Sequence, residues 1–377
     1  MKTMEEDEFQ PNLLKFDDNS SSIKCSPNDF LLNGEILGRG GYGFVLKAMH
    51  VPSGNNVAMK FQKLTYDEPS IKVERTKKYQ TLEKEIRGLR LTHSPYVTQY
   101  FGSMIVGRDV ILCMELMDFT AFKLYKDVKM SLQDPTVRFD EQALAIIAAS
   151  VINALVDLKR THHFIHRDIK PLNILLNFNG EVKLTDLGLI FEDHSIARCE
   201  PFGTSLYLAP EIIEQMSCKE IDGRYRVEIN SKSDLWSLGI TLVEIARFSQ
   251  PYTHCKLIKD VYYSISMKES PVLTSEDGYS VETIQLINNC LIKDERRRPS
   301  LEEISEIDLI QKYGDFESNK AYMKNFICKY VHMYNGIEED SVGSDSSDSS
   351  IIEETIQQWK NDSLVNFMSF DNIVACH

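Results

Sequence analysis

His166-Arg167-Asp168-Ile169-Lys170-Pro171-Leu172-Asn173 fills five positions of the string H-R-D-x-K-x-x-N, too many to coincide by chance. Asp168 can accept or orient the proton of a substrate hydroxyl, Lys170 can offset charge on a moving phosphoryl group, and Asn173 can ligate Mg²⁺. Thirteen residues beyond Asn173, Asp186-Leu187-Gly188 offers a second metal carboxylate. Hard cations that bridge phosphates take oxygen ligands, which Asn173 and Asp186 supply. Together these residues suit phosphoryl transfer to a hydroxyl. His166 reads as a packed structural residue rather than a base.

Upstream, Leu37-Gly38-Arg39-Gly40-Gly41-Tyr42-Gly43-Phe44-Val45 contains G-x-G-x-x-G. Alone that is a weak signal, since a glycine-rich hairpin turn looks the same. Here it opens a β-hairpin rather than a strand–helix unit, so Gly38, Gly40 and Gly43 would let backbone amides cover nucleotide phosphates. Val45 and Ala58 would then sit over an adenine, with Leu37 among the nucleotide-binding residues. Lys60 ends the apolar strand Val57-Ala58-Met59 and can reach α- and β-phosphates if a carboxylate holds it. Glu85 is the expected partner. It shares a helix with Ile86 and Leu89, and helix phase separates it from Glu83.

The elements needed to position these groups can be read from the texture of the chain. From Phe30, short apolar runs separated by Gly-, Pro- and Asn-containing turns predict antiparallel strands. Lys72–Arg90 carries Leu82, Ile86 and Leu89 at helical spacing, and strands return at Val97–Met104 and Val110–Leu116. Beyond Asp118 the pattern is helical, with helices expected at Asp140–Lys159, Ser231–Ala246, Val281–Leu291 and Ser318–Tyr334. This is an α+β chain: residues 1–28 an acidic flexible extension, 29–117 a small β lobe, 118–313 a larger helical lobe. An amphipathic helix follows at 314–335, then an acidic Ser-rich tail at 336–377.

The 377 residues are 42% hydrophobic and 26% charged, enough for a sizeable core. The net charge of −14 argues against nucleic acid as a partner, because phosphate-backbone binding needs a basic face. Residues 1–18 carry −4 of it and 336–354 carry −7, so the body between holds only −3. The eight scattered cysteines include no CxxC and read as reduced thiols, which implies a cytoplasmic or nuclear setting. The opening MKTMEEDEFQ lacks the order of a secretory leader, and the longest apolar stretch, Ala143–Leu158, is interrupted by Ser150, Asn153 and Asp157, so no membrane span is expected.

With these motifs in this order, the chain resembles a eukaryotic protein kinase over about Phe30 to Tyr313. The signature continues through Leu208-Ala209-Pro210-Glu211, Asp234-Leu235-Trp236-Ser237-Leu238-Gly239 and Arg298-Pro299. The resemblance implies the bilobal kinase fold, ATP and Mg²⁺, a Glu211–Arg298 pair bracing the activation segment, and Asp234 bracing the catalytic loop. Three further runs, Ser94–Val97, Leu112–Asp118 and Lys232–Thr241, are similar to the mitogen-activated protein kinase kinases, and the last two to their stress-activated branch most. On that similarity Met114 is the gatekeeper, and the backbone of Glu115 and Met117 meets the adenine edge. The implied substrate is a downstream mitogen-activated protein kinase, phosphorylated on Thr and Tyr. The implied activator is an upstream mitogen-activated protein kinase kinase kinase.

Several departures from the family pattern bear on control. Ser195 matches the first activating phosphosite, but Cys199 stands where the second would be, followed by Glu200. Either Glu200 supplies a permanent charge or control rests on Ser195 alone, and Thr204 reads as structural. Leu187 replaces the usual Phe of the metal-binding triplet. No basic docking cluster precedes the first strands, while Tyr322, Met323, Phe326, Ile327, Tyr330, Val331 and Tyr334 form a stripe that either docks an upstream kinase or packs on the large lobe. Another Ser/Thr kinase of the same broad group, or a kinase-fold scaffold, stands as the alternative.

Overall fold

The structure is a computed structural model that describes residues 12–16, 21–40, 43–63, 82–83, 85–106, 109–132, 138–192, 196–199, 205–216, 225–228 and 230–331. Two compact units emerge. The first takes the described chain up to Lys63 together with residues 99–117, and the second takes the described residues of 81–98 and of 118–331.

The first unit is a seven-stranded antiparallel sheet built from Leu13–Leu14 (β1), Ile23–Lys24 (β2), Phe30–Gly40 (β3), Gly43–His50 (β4), Asn55–Lys63 (β5), Tyr100–Val106 (β6) and Asp109–Glu115 (β7). Its strand order is β2-β1-β6-β7-β5-β4-β3. Side chains alternate between faces along a strand, so one face collects Leu46, Ala48, Val57, Met59, Phe61, Ile111 and Cys113 into a core with Phe30, Met104 and Val106.

Residues 1–28 had read as a flexible extension, yet β1 and β2 extend the sheet from the edge of β6. Gly102 makes this pairing feasible: at φ +150° it has no Cβ, and one would lie 2.1 Å from the Leu13 carbonyl oxygen. Leu14 and Cys25 are buried in the core, and the Phe16 ring packs 5.0 Å from Phe101 and 5.3 Å from His50. Burying those side chains, together with pairing the open edge, outweighs the polar composition around them. Residues 1–11 and 17–20 lie outside the described chain.

The second unit is mainly helical: Ala121–Ser131 (α1), Glu141–His162 (α2), Pro210–Met216 (α3), Ser231–Arg247 (α4), Ile258–Met267 (α5), Val281–Cys290 (α6), Leu301–Ser305 (α7), Asp308–Lys312 (α8) and Phe316–Val331 (α9). Short strands punctuate it: Phe119–Thr120 (β8), Phe164–Ile165 (β9), Ile174–Leu176 (β10), Val182–Leu184 (β11), Phe191–Glu192 (β12), Ile196–Cys199 (β13) and Tyr225–Glu228 (β14). They pair as β11-β10-β8, β12-β9 and β13-β14.

At 22 residues α2 is longer than its apolar stretch suggested, and by length and composition alone it could cross a membrane. Its apolar positions are instead buried in the protein, from Ala143 through Ile152 to Leu158. Asp140 caps its start by accepting from the Ala143 amide at 2.8 Å, and His163 ends it in the left-handed region. Asp140→Ala is expected to cost about 0.5–2 kcal/mol in chemical denaturation.

The C-terminal stripe faces inward. Met323, Phe326 and Ile327 are buried, Phe326 meets Phe139 edge-on at 5.3 Å, and the Tyr322 hydroxyl donates to Asp140 at 2.7 Å. Those residues form the packed terminal helix of the second reading, whereas Tyr334 and the tail 336–377 lie outside the described residues.

Candidate active site

In the first unit, strand register gathers the residues assigned to nucleotide. Val45 pairs with Lys60, Lys60 with Leu112, and Ala58 with Met114. Directly paired residues share a face, and so do residues two apart. Val45, Ala58, Lys60 and Met114 therefore project together from the face opposite the Leu46–Met59–Phe61 core.

The glycine hairpin closes as Gly38↔Val45, Arg39↔Phe44 and Gly40↔Gly43, with a register shift between Ile36 and Gly38 where Leu37 stands. At Gly43 a Cβ would fall 1.7 Å from the Phe61 carbonyl oxygen, so only glycine brings the hairpin this close to β5. Gly41 and Tyr42, at the tip, lie outside the described residues. At the end of β7 the Glu115 amide donates to Gln99 at 2.9 Å, and Met117 is buried.

In the second unit, β9 leads into the catalytic loop, which α4 holds from below. Both oxygens of Asp234, 1% exposed near the start of α4, accept backbone amides: His166 at 2.7 Å and Arg167 at 2.7 Å. Arg167 adopts φ 71°, and these two bonds help offset the strain of that left-handed backbone. Burial pushes the Asp234 carboxyl up, while His166, Arg167 and the amides favour its charged form.

His166 is fully buried: its Nε2 lies 2.9 Å from the Thr185 carbonyl, and its Nδ1 accepts from the Asp168 amide at 3.3 Å. The imidazole thus ties the catalytic loop to the segment before Asp186, as its structural reading required. Asp168 is in turn gripped. Lys170 Nζ and Asn173 Nδ2 donate to the same oxygen, Oδ2, at 2.6 and 2.9 Å, and Asn173 Nδ2 also reaches the Asp168 carbonyl at 2.8 Å.

Asp186 sits at φ 65°, ψ 71°, and a Cβ on Gly188 would come 3.3 Å from its Oδ1 and 3.4 Å from Glu85 Oε2. The structure therefore brings the Glu85 and Asp186 carboxylates together beside Gly188. Glu85 is buried and Glu83 exposed, as helix phase predicted. Its neighbour Gly88 packs against Ile190 so closely that a Cβ there would meet Cδ1 at 2.3 Å, and Leu187 is fully buried beside them.

Glu211 and Arg298 form a two-pronged pair at 2.7 and 3.0 Å. Ser195, Glu200 and Thr204 lie outside the described residues, and β13 begins immediately after Ser195. One group escaped the sequence reading: Tyr125, Tyr207 and Glu244, which meet through hydrogen bonds of 2.7 and 2.6 Å. They belong to three separated stretches, and no local spacing signals them.

Residues 31–310 match the protein kinase domain family. Over 302 residues the chain is 32% identical to the dual specificity mitogen-activated protein kinase kinase sek-1 of Caenorhabditis elegans, covering 80% of this chain and 84% of that protein. It is 35% identical over 237 residues to dual specificity mitogen-activated protein kinase kinase 7 of Homo sapiens, covering 62% of this chain and 54% of that protein. The protein kinase wis1 of Schizosaccharomyces pombe is 32% identical over 294 residues, covering 76% of this chain and 44% of wis1.

Proposed function

The chain belongs to the protein kinase family, and we propose that it is a dual-specificity mitogen-activated protein kinase kinase, moving the γ-phosphoryl group of ATP to Thr and Tyr of a mitogen-activated protein kinase. The observation that carries this reading is the fixed carboxylate of Asp168, with Lys170 and Asn173 on one oxygen, in a chain similar to proteins of that description. Asp168 orients the substrate hydroxyl and takes its proton, while Lys170 offsets charge on the transferring group.

Val45, Ala58 and Met114 border the adenine, the Glu115 and Met117 backbone meets its edge, and the Gly38–Gly43 hairpin covers the phosphates. Lys60 takes the α- and β-phosphates. The donors present suit Mg²⁺: Asp186 offers a carboxylate, and Asn173, with its Nδ2 spent on Asp168, presents the amide oxygen. Bound there, the metal would neutralise charge building between the phosphates.

The test is an assay with Mg-ATP and a panel of kinase-dead mitogen-activated protein kinases. Phosphate on both Thr and Tyr of one panel member is expected; phosphorylation of generic Ser/Thr substrates alone sinks the proposal. We further propose Ser195 as the control point, acted on by an upstream mitogen-activated protein kinase kinase kinase. Ser195→Ala should lower stimulated activity by about 5–150-fold, the range of a typical coupling free energy; equal stimulated rates would remove Ser195 from that role. Cys25, Cys113, Cys255, Cys290 and Cys328 are free thiols, in keeping with the cytoplasmic or nuclear setting we propose.

A further inference from the structure

Glu244 lies in the last turn of α4, 1% exposed, and both of its oxygens are occupied by phenols. Tyr125 of α1, itself 1% exposed, donates to Oε1 at 2.7 Å, and Tyr207 donates to Oε2 at 2.6 Å. A carboxylate this deep persists only if donors replace the water it has lost. Burial pushes the Glu244 carboxyl up, and the two phenols with Lys126 pull it back towards the charged form. The same burial and the nearby carboxylate push both phenols far up, so each remains a donor.

Tyr207 closes the short turn Ser205–Tyr207, which two further side chains hold. Ser237 Oγ donates to the Tyr207 carbonyl at 2.7 Å, and Gln250 Nε2 donates to the Leu206 carbonyl at 3.3 Å. One turn further along α4 from Ser237, Thr241 Oγ1 donates to the carbonyl of Ile169, the residue after Asp168, at 3.4 Å. The same helix holds the His166 and Arg167 amides through Asp234, so α4 anchors both this turn and the loop that carries Asp168, the group assigned to the substrate hydroxyl.

We propose that Tyr125, which belongs to none of the catalytic motifs, is a positioning residue for the protein substrate: it fixes Glu244, Glu244 fixes Tyr207, and the turn Ser205–Tyr207 is thereby held on α4, the helix that also anchors the catalytic loop. The inference rests on the kinase reading above. It departs from a purely packing role for Tyr125 in one respect. Removing a single oxygen atom, with the ring kept in place, should loosen a turn 80 residues further along the chain.

The test uses the full chain and Tyr125→Phe. Hydrogen exchange should speed up over residues 205–209 and stay unchanged over α2. A hydrogen bond to a charged group, once lost, shifts such a local equilibrium about tenfold or more. With kinase-dead mitogen-activated protein kinase as substrate, kcat/KM should fall about tenfold, while the KM for ATP and substrate-free ATP hydrolysis are unchanged. Glu244→Gln combined with Tyr125→Phe should lose little more than either alone, because both act through one bridge. If Tyr125→Phe folds poorly, Tyr207→Phe removes the other donor and is read in the same way.

Unchanged exchange at 205–209, or equal losses for ATP and protein substrate, overturns the proposal. If the wild-type chain transfers no phosphate at all, the kinase reading fails instead, and exchange at 205–209 still decides the bridge.

Discussion

Asp168→Asn is expected to lower kcat by about 10²–10⁴-fold, the contribution of a positioned general base, with the KM for ATP and the unfolding midpoint unchanged. The geometry supports that separation. Asn keeps the size of Asp and one carbonyl oxygen, so a partner is retained for Asn173 Nδ2, now 2.9 Å from Asp168 Oδ2, and for Lys170 Nζ at 2.6 Å. The scaffold around it does not depend on the Asp168 charge: His166 is held by Thr185, and the His166 and Arg167 amides by Asp234. What disappears is an acceptor for the substrate proton and the charge that orients the hydroxyl. Steady-state kinetics on the kinase-dead substrate, read for phospho-Thr and phospho-Tyr separately, should show the same loss at both. A drop of less than about tenfold would remove Asp168 from the base role.

The sequence disclosed the parts of this site that are local in the chain. Asp168, Lys170 and Asn173 lie within six consecutive residues, and their hydrogen bonds follow from one loop and the 3₁₀ turn Pro171–Asn173. The nucleotide-facing residues were legible for a related reason, since period-two alternation puts Val45 and Ala58 on the Lys60 face once the strands are in register. Two-residue strands carry no period, so Leu13–Leu14 and Ile23–Lys24 left no trace in an acidic stretch. The pairing of Leu13–Leu14 with β6 depends on Gly102, nearly 90 residues away. The stripe on α9 was visible, but the choice between docking and packing was not, because it depends on Phe139 and Asp140 standing opposite it. Glu244 was hidden most thoroughly. An acid inside Leu242-Val243-Glu244-Ile245 looks like an interruption until two tyrosines from other elements are seen to satisfy it.

Glu211→Ala should destabilise the second unit by about 3–5 kcal/mol, the cost of leaving a buried charge without its partner. The Arg298 side chain is fully buried, and besides Glu211 it donates to the carbonyls of Lys232 at 2.8 Å and Ile292 at 2.9 Å and lies 5.3 Å from the Trp236 ring. Those contacts keep the guanidinium in place after the carboxylate is removed, so it cannot swing out to water. The carboxylate is also the link to α3, which follows the Ser205–Tyr207 turn, so unfolding of the pair loosens the segment before it as well. The distinguishing variant is Glu211→Leu with Arg298→Met. Replacing both charges with apolar groups of similar volume removes the desolvation cost together with the attraction, so the double variant should recover most of the lost stability. Denaturant unfolding, followed by a probe in α4 so that the two units are not averaged, measures both. A double variant as unstable as Glu211→Ala would mean that Arg298 is needed for its packing and carbonyl bonds, and that its charge partner contributes little.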